Sequence, residues 1–398
     1  MPVHTIRCNL QLLTMPTPSL ILVPARFKTG KLYTPVATTS GGLVLGASGD
    51  FNVTRATTAT RVNASGNIEV VASGIPRLDY FASGGVVGCP ALLVEPSAQN
   101  LALHSRDLTN AVWSGTTVTT AKNAVGADGV ASGATTITAT AASGTVLQAL
   151  SHASQSRVFS AYIRRVTGTG AIQLTTNGGT NWTTVTISSL YTQVACAAQT
   201  VASGTIGIRL AVSGDVIEVD FTQGEVGPVA TSPIPTTTTA PVTRNADVIS
   251  VSTVSGCIGQ SEGTIYTELD FSRAIASIAI IVGNSSNENF RIRKAANFGV
   301  LVQAVNTSGA TTLFTSSAAS AGIYKIAFGY KNGDYAMSVN GATVLTSNNS
   351  TNFPVNGLSI ISLGETIGGV PYFNDRIRSV ALYTTRLTNA ELAFITQP

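Results

Sequence analysis

Two carboxylates, Glu268 and Asp270, form the most suggestive chemical pair in the sequence. They flank Leu269 in an alternating run, so a strand would place both on one face. Glycoside hydrolysis needs two carboxyl groups that face each other across a cleft, which makes this pair the best candidate for cleaving a polysaccharide. The simpler interpretation, which we favour, is that both residues face solvent on a strand.

Nucleophilic catalysis is not indicated by the remaining residues. A catalytic triad needs a serine, a histidine and an acid, and the run His104-Ser105-Arg106-Asp107 contains all three types. Adjacent residues of an extended chain, however, point in opposite directions. No nucleotide-binding or hydrolase motif occurs elsewhere. We therefore predict that the protein has no catalytic residue and is not an enzyme.

The cysteines are too far apart in the sequence to indicate a metal site. Cys8, Cys89, Cys196 and Cys257 form no Cys-x-x-Cys motif and no cluster with histidine. This pattern predicts free thiols and folding in a reducing compartment.

Calcium is the one metal for which oxygen ligands are available. Ca²⁺ takes six to eight oxygen ligands, and Asn374 with Asp375, or Asn332 with Asp334, could supply some of them. Neither pair belongs to a run of alternating aspartates. We predict no metal and no cofactor, with Ca²⁺ kept as the alternative.

Aromatic residues in predicted loops are candidates for sugar binding, because pyranose rings stack on aromatic faces. One tyrosine lies at the tip of a predicted hairpin, and another precedes two polar residues in the loop before the last strand. The candidate carbohydrate-binding residues are Tyr335, Tyr372, Asn374 and Asp375. The two tryptophans, Trp113 and Trp182, flank predicted strands and are expected in a hydrophobic core.

Charge is sparse and nearly balanced. Of 398 residues only 11% are charged, and the net charge of +4 is too small and dispersed to predict nucleic-acid binding. The most basic run is Arg291, Arg293 and Lys294. Its alternation with Phe290 and Ile292 favours the solvated face of a strand, and the alternative is contact with an anionic glycan. No apolar run is long enough to insert in a membrane.

Period-2 alternation between turn residues predicts an all-β protein. Two antiparallel jelly-roll-type sandwiches are expected at residues 106–227 and 246–398, joined by a Pro/Thr-rich linker at 228–245. Residues 1–105 are broken by prolines and glycines and are interpreted as an extended N-terminal segment that attaches to a partner.

The strongest local patterns lie near the C-terminus. Asn332-Gly333 and Asn340-Gly341 favour type I′ turns and predict a three-strand meander. Thr388 and Glu391 fit a capping box, which predicts a short helix over 389–395.

Two stretches of the second sandwich, GYKNGDYAMSVNGATVL and DRIRSVALYTTRLTNAELAFIT, resemble the concanavalin/laminin-G-like jelly roll. Upstream stretches such as CPALLVEPSAQNLALHSRDLTNAVW and ATSPIPTTTTAPVTRNADVIS resemble structural proteins of tailed phages and prophages. The resemblance implies an N-terminal virion-associated segment, then a carbohydrate-binding-module-like sandwich, then a laminin-G-like sandwich. It implies no particular ligand.

These patterns together lead to a functional hypothesis. The protein would be made in the host cytoplasm and carried in the virion as a structural part, namely a head fibre, tail fibre, spike or decoration protein. Its partners would be other virion proteins, bound through residues 1–105, and a host-surface glycan. A homotrimer is expected, because symmetric homo-oligomers are the rule for such parts. The alternatives are a tail-borne polysaccharide-degrading enzyme and a scaffold without a ligand.

Overall fold

The computed structural model describes residues 16–37, 43–44 (backbone only), 49–80, 89–317, 320–354, 357–364 and 373–398. Their regular secondary structure is almost entirely β-strand, with one short α-helix, as the alternation predicted. They fall into two compact units. The larger sandwich comprises the described residues of Met1–Ala56, Val71–Pro96 and Ala246–Pro398, and the smaller sandwich comprises Thr57–Val70 and Ser97–Asn245. No helix in these ranges is both long and apolar enough to cross a bilayer.

The first sheet of the larger sandwich is antiparallel throughout. In order across the sheet, its strands are β32 (Leu345–Ser347), β31 (Tyr335–Val339), β30 (Gly322–Lys331), β25 (Glu262–Phe271), β34 (Asp375–Tyr383), β1 (Leu20–Leu22), β4 (Val36–Ala37) and β5 (Leu43–Val44). Strand β34 also pairs with β10 (Ala91–Val94), which pairs with β9 (Leu78–Asp79).

The second sheet of the larger sandwich has nine antiparallel strands. In order, they are β2 (Phe27–Lys28), β3 (Lys31–Leu32), β6 (Phe51–Thr54), β24 (Val248–Val251), β33 (Ile360–Leu363), β26 (Ser277–Ser285), β27 (Glu288–Lys294), β28 (Val300–Asn306) and β29 (Gly309–Thr315). Alternate residues of both sheets pack in one hydrophobic core. Within β30, Tyr324, Ile326, Phe328 and Tyr330 all enter that core, which confirms the predicted face.

The predicted meander is confirmed by the pairing of β30 with β31 and of β31 with β32. Asn340 and Gly341 both have positive φ, at 49° and 69°, as a type I′ turn requires. The helix α1 (Asn389–Ile395) begins with the predicted capping box, in which Thr388 and Glu391 exchange hydrogen bonds. Its Leu392 packs with Tyr266 and Ala381 in a separate apolar cluster on the first sheet.

The described residues between 16 and 105 do not form the separate extended segment predicted for 1–105. Strand β1 pairs with β34, with Ile21 opposite Ala381, and β6 pairs with β24 in the other sheet. Residues 57–70 belong instead to the smaller sandwich. The prediction is wrong because the prolines of the described N-terminal residues lie between the short strands. At those positions the missing backbone N–H removes no hydrogen bond of the sheet.

The smaller sandwich is built from two antiparallel sheets and two short pairs. One sheet has the order β12 (Ser114–Thr116), β15 (Gly144–Ala149), β21 (Thr205–Leu210), β17 (Ile172–Thr175) and β18 (Thr183–Val185). The other consists of β13 (Val118–Ala124), β14 (Ala134–Ala139), β22 (Val216–Val226), β16 (Gln155–Thr167), β19 (Thr192–Ala195) and β20 (Gln199–Val201). The short pairs join β7 (Ala59–Val62) to β8 (Ile68–Val71), and β11 (Ala98–Asn100) to β23 (Val242–Arg244).

The core of the smaller sandwich contains the residues that alternation predicted on β16 and β21. Phe159, Ala161 and Ile163 pack there with Ile206, Ile208 and Leu210. Trp113 is also in this core, as expected. The same expectation for Trp182 is wrong, because its indole is only half-buried and lies against Arg209 outside that core.

The predicted linker is partly folded into the smaller sandwich. Thr231, Ser232, Ile234 and Thr236 are all buried. Side chains of the sandwich satisfy their backbone groups, since Gln223 accepts a hydrogen bond from Ile234 N at 2.6 Å and Asn100 donates one to Ile234 O at 2.8 Å. The prediction of a linker from proline and threonine content is therefore wrong for these residues. An extended segment without a strand partner can be buried when side chains form hydrogen bonds with its backbone N–H and C=O groups.

Candidate functional site

The candidate sugar-binding tyrosine Tyr335 is not on the surface. Its side chain is 0% exposed and stacks on Phe328, with ring centroids 6.1 Å apart and an interplanar angle of 14°. Burial raises the pKa of its hydroxyl to about 12. The predicted exposure is wrong because residue 335 begins β31, and alternation turns this residue inward with Met337. Tyr372 lies outside the described residues.

Asn374 and Asp375 are also buried, at 3% and 0% exposure. Asp375 forms an ion pair with Lys294 and accepts hydrogen bonds from Ser272 N and Oγ at 2.8 and 2.7 Å. Burial lowers the pKa of Lys294, and the charge of Asp375 opposes that shift. These residues therefore hold the core of the larger sandwich together at its edge and present no exposed pair. No group of three metal-ligating acidic, histidine or cysteine side chains occurs in the part of the chain that the structure describes.

Glu268 and Asp270 share one arginine. Arg378 Nε lies 4.0 Å from Glu268 Oε1, and Arg378 Nη2 lies 3.8 Å from Asp270 Oδ2. This geometry is consistent with the predicted common face. Burial raises the pKa of Asp270, and the nearby Arg376 and Arg378 lower it. The guanidinium of Arg378 lies within ion-pair range of both carboxylates, so the pair has a structural counter-charge.

The run His104–Asp107 does not assemble a triad. Ser105 is 0% exposed and its hydroxyl accepts a hydrogen bond from Thr236 N at 2.8 Å. Arg106 instead pairs with Asp128 and Asp220.

Cysteine chemistry differs in part from the expectation. Cys89 is disulfide-bonded, whereas Cys196 and Cys257 are free thiols. The prediction of free thiols is therefore wrong at Cys89, since separation along the sequence does not prevent contact in the fold. Burial raises the pKa of both free thiols, which keeps them protonated and unreactive.

The most distinctive charged surface is on the outer face of the second sheet of the larger sandwich. On β27, Phe290 and Ile292 point into the core, and Arg291 and Arg293 lie on the opposite face at intermediate exposure. The predicted alternation is thus confirmed for Arg291 and Arg293, but the predicted solvent exposure is wrong for Lys294, which is buried in its ion pair with Asp375. Arg291 is directly paired with Gln303, and Gln303 with Thr312, so the face continues to the edge strand β29. On the other side of Arg291, the paired residues Ile281 and Ser362 are buried.

Uncharged hydrogen-bond acceptors, from side chains and from one backbone carbonyl, hold both guanidinium groups in place. Arg291 donates from Nε to Asn289 Oδ1 at 2.8 Å and from Nη2 to Ser286 O at 2.7 Å. Arg293 donates from Nη1 to Gln303 Oε1 at 3.0 Å, and Gln303 Nε2 donates to Thr312 Oγ1 at 3.1 Å. We call Arg291, Arg293, Gln303 and Thr312 the arginine face.

No carboxylate among the described residues lies within ion-pair distance, 4.0 Å, of either guanidinium. Burial lowers the pKa of Arg291, and the positive charge of Arg293 lowers it further. The Nε of Arg293 is buried and has no hydrogen-bond partner among the described residues. Two like charges are therefore held side by side without compensation, and an anion placed between them would relieve their repulsion.

Sequence reasoning found the two arginines but not Gln303 or Thr312. The alternation of Val300–Asn306 puts Gln303 on the polar face of its strand. Only the register of β27, β28 and β29 shows that this glutamine meets the arginines and the threonine.

Several solved structures are similar to part of the chain. No family model matches the chain, and no curated protein matches it. One similar structure is a carbohydrate-binding module of the Ruminococcus gnavus IT-sialidase bound to α2,6-sialyllactose, at 22% identity and a TM-score of 0.31, covering 35% of this chain and 84% of that one.

Two further similar structures have comparable scores. Domain 4 of AbnA, an arabinanase of Geobacillus stearothermophilus, in complex with arabinotriose, is 15% identical, has a TM-score of 0.32 and covers 38% of this chain and 73% of that one. The binding domain of botulinum neurotoxin DC with rat synaptotagmin II is 11% identical, has a TM-score of 0.31 and covers 38% of this chain and 40% of that one. At these values the likeness concerns only the fold of part of the chain.

Proposed function

We propose that this protein is a non-enzymatic structural component of a tailed-phage particle, and that its arginine face binds carboxylated glycans on the host surface. The observation that carries the binding proposal is the juxtaposition of Arg291 and Arg293 without a carboxylate partner among the described residues. The virion role rests on the resemblance of stretches such as CPALLVEPSAQNLALHSRDLTNAVW and ATSPIPTTTTAPVTRNADVIS to structural proteins of tailed phages and prophages.

The chemistry of guanidinium favours a carboxylate. Arginine presents its donors in a planar fork that matches a carboxylate in two parallel hydrogen bonds, and such charge-assisted bonds are about twice as strong as neutral ones. Gln303 and Asn289 hold the two forks by their own oxygens, so less side-chain entropy is lost when a ligand binds. The sugar ring would lie along the sheet, where Thr312 Oγ1 is available for a further hydrogen bond.

The binding proposal is tested by titrating the full chain with an oligogalacturonate, in which every sugar carries a carboxylate. A carboxyl-reduced oligomer of the same length is the neutral control. We expect binding of the acidic oligomer only, and a loss of about tenfold or more in the Arg291→Gln/Arg293→Gln variant, since each lost charged contact costs roughly 1.5–3 kcal/mol.

The matched control for that variant is Lys331→Gln. It removes one positive charge from the same sandwich, at an exposed residue whose ion pair with Glu262 spans 3.6 Å. Its affinity should stay within about twofold of the parent. Equal affinity for the acidic and the reduced oligomer, or an unchanged affinity in the double variant, would overturn the proposal.

The virion role has a separate test, because it does not depend on the glycan. Antibody raised against residues 246–398, with immunogold labelling of intact particles, should decorate the capsid or the tail. Antigen found only in the lysate, with unlabelled particles, would remove the virion role. A homotrimer, expected for a fibre or spike, would be checked by the molar mass of the purified chain in light scattering.

A further inference from the structure

The smaller sandwich contains the same three residue types in the same hydrogen-bonded order as the arginine face. Arg209 donates from Nε to Gln173 Oε1 at 2.7 Å, and Gln173 Nε2 donates to Thr184 Oγ1 at 3.1 Å. In the larger sandwich, Arg293, Gln303 and Thr312 form the corresponding chain, at 3.0 and 3.1 Å.

The strands involved correspond, although the register differs, because Arg293 stands opposite Leu301 and it is Arg291 that stands opposite Gln303. Arg209 is on β21, Gln173 on β17 and Thr184 on the edge strand β18, and the three residues stand directly opposite one another. In the second sheet of the larger sandwich the threonine is again on the edge strand and the glutamine on its neighbour. Ile208 and Leu210, which flank Arg209, enter the core, so Arg209 faces away from it.

Trp182 adds an element that the arginine face lacks. The guanidinium carbon of Arg209 lies 4.5 Å from the centre of the indole ring, in a cation–π contact. Gly179 makes room for that ring, since a Cβ at this position would lie 2.9 Å from Trp182 Cζ2. The indole therefore orients the guanidinium of Arg209. Because Arg209 already covers a face of the indole, a ligand would be recognised by hydrogen bonds to the guanidinium rather than by stacking on Trp182.

The Nη groups of Arg209 are available for a ligand. The hydrogen bond from Nε to Gln173 is the one that Arg209 makes in the described part of the chain, and no carboxylate there pairs with it. Several other arginines of this sandwich do have such partners, for example Arg106 and Arg165. Arg164 stacks on Tyr191 at 4.8 Å in the same way, but its Nε pairs with Glu218 at 2.5 Å.

We propose that Arg209, Gln173, Thr184 and Trp182 form a second binding site for a carboxylated sugar, separate from the arginine face. The carboxylate lies in the fork of the two Nη groups, and Gln173 and Trp182 keep that fork in position. Charge complementarity selects an acidic sugar over a neutral one, because the cation has no protein counter-charge among the described residues. The chain then carries two acid-sugar sites and gains avidity for a polymer that reaches both.

The indole gives a direct readout of this site. The protein has two tryptophans, and Trp113 is 5% exposed in the core, so a change of emission on adding oligogalacturonate reports Trp182. We expect a saturable change with the acidic oligomer and none with its carboxyl-reduced form. The Arg209→Gln variant should weaken the response by about tenfold or more, whereas Arg164→Gln, which removes a stacked but paired arginine, should leave it unchanged.

Two further variants keep the test decisive if Arg209→Gln folds poorly. Thr184→Val removes the acceptor for Gln173 Nε2 on an exposed edge strand and should weaken the response several-fold. Arg291→Gln/Arg293→Gln should leave the Trp182 response intact, so failure of this site and failure of the arginine face are distinguished. An unchanged response in both Arg209→Gln and Thr184→Val, or an equal response to inorganic sulfate, would overturn the second site.

Discussion

Asp220 receives two parallel hydrogen bonds from Arg106, from Nε to Oδ1 at 2.8 Å and from Nη2 to Oδ2 at 2.9 Å. Asp220 is 0% exposed. The same guanidinium pairs with Asp128 at 2.6 Å and lies 4.2 Å from the ring centre of Phe221. One arginine thus ties the loop after β13 to strand β22 in the smaller sandwich.

Lysine is a poor substitute for Arg106, because an ammonium group cannot donate two parallel hydrogen bonds to the carboxylate of Asp220. We expect Arg106→Lys to lower the free energy of unfolding of the smaller sandwich by about 2 kcal/mol. Both tryptophans lie in this sandwich, so denaturant unfolding of the full chain followed by tryptophan emission measures the loss. Arg164→Lys, at a more exposed pair, serves as the control and should cost less than about 1 kcal/mol. Equal losses in the two variants would contradict a special role for Arg106.

The buried pair of Lys294 and Asp375 leads to a prediction for the larger sandwich. Lys294→Ala leaves the carboxylate of Asp375 buried without its ammonium and should destabilise this sandwich by about 3–5 kcal/mol. Lys294→Met combined with Asp375→Asn removes both charges and should recover part of that loss. Near-UV circular dichroism of the buried tyrosines reports the transition. A Lys294→Ala variant as stable as Lys331→Ala, which breaks an exposed pair, would disprove the prediction.

Glu225 should make the stability of the smaller sandwich depend on pH. Burial raises the pKa of this carboxyl, against the lowering by hydrogen bonds from Thr231 and by the charge of Arg244. Because the folded pKa is above the unfolded one, the folded state retains a proton that the unfolded state has lost. The protonated Glu225 therefore makes its full contribution to the free energy of unfolding below the pKa of the unfolded state. That contribution declines as the pH rises towards the pKa of the folded state.

The Glu225→Gln variant mimics the protonated carboxyl at every pH. Its stability relative to the parent should therefore increase as pH rises from about 4.5 to about 7.5. Tryptophan-detected unfolding at the two pH values measures this difference. A parent and a variant that respond to pH in parallel would show that Glu225 is ionised in the folded state.

The proposal that the protein is not an enzyme is tested with the same oligomers used for binding. We expect purified protein to release no new reducing ends from acidic or neutral polysaccharides at any pH between about 4 and 8. Release that disappears in Glu268→Gln or Asp270→Asn would instead establish the enzyme alternative and assign its carboxylates.

Local patterns predicted the local structure well. The face of β30, the meander with its Asn340-Gly341 turn and the capping box of α1 all depend on residues close in sequence. The strand alternation that exposed Arg291 and Arg293 is equally local.

The failures concern partners that are distant in sequence. The position of Asp375, for example, depends on Lys294, eighty-one residues earlier. Tyr335 is a different case, because alternation with Met337 already indicates its inward face and only its expected place at a hairpin tip suggested exposure. Trp182 was assigned to the core because aromatic residues beside strands usually are, and only the register of β17, β18 and β21 brings it to Arg209. Period-2 alternation contains no information about register, so these contacts were beyond its reach.

The pairing of β1 with β34 has a consequence for the order of events during synthesis. Every strand of the smaller sandwich except β7 and β8 lies between residues 98 and 244, so its main sheets are complete when the ribosome has made little more than half of the chain. The larger sandwich must wait for residues 375–383 before β1 pairs with β34, although its other neighbour, β4, lies close by in sequence. During that interval Leu20 and Leu22 lack most of the core residues that bury them in the folded protein. Apolar side chains exposed in this way make a nascent chain prone to aggregation, so we expect chaperones to bind the β1 region during synthesis.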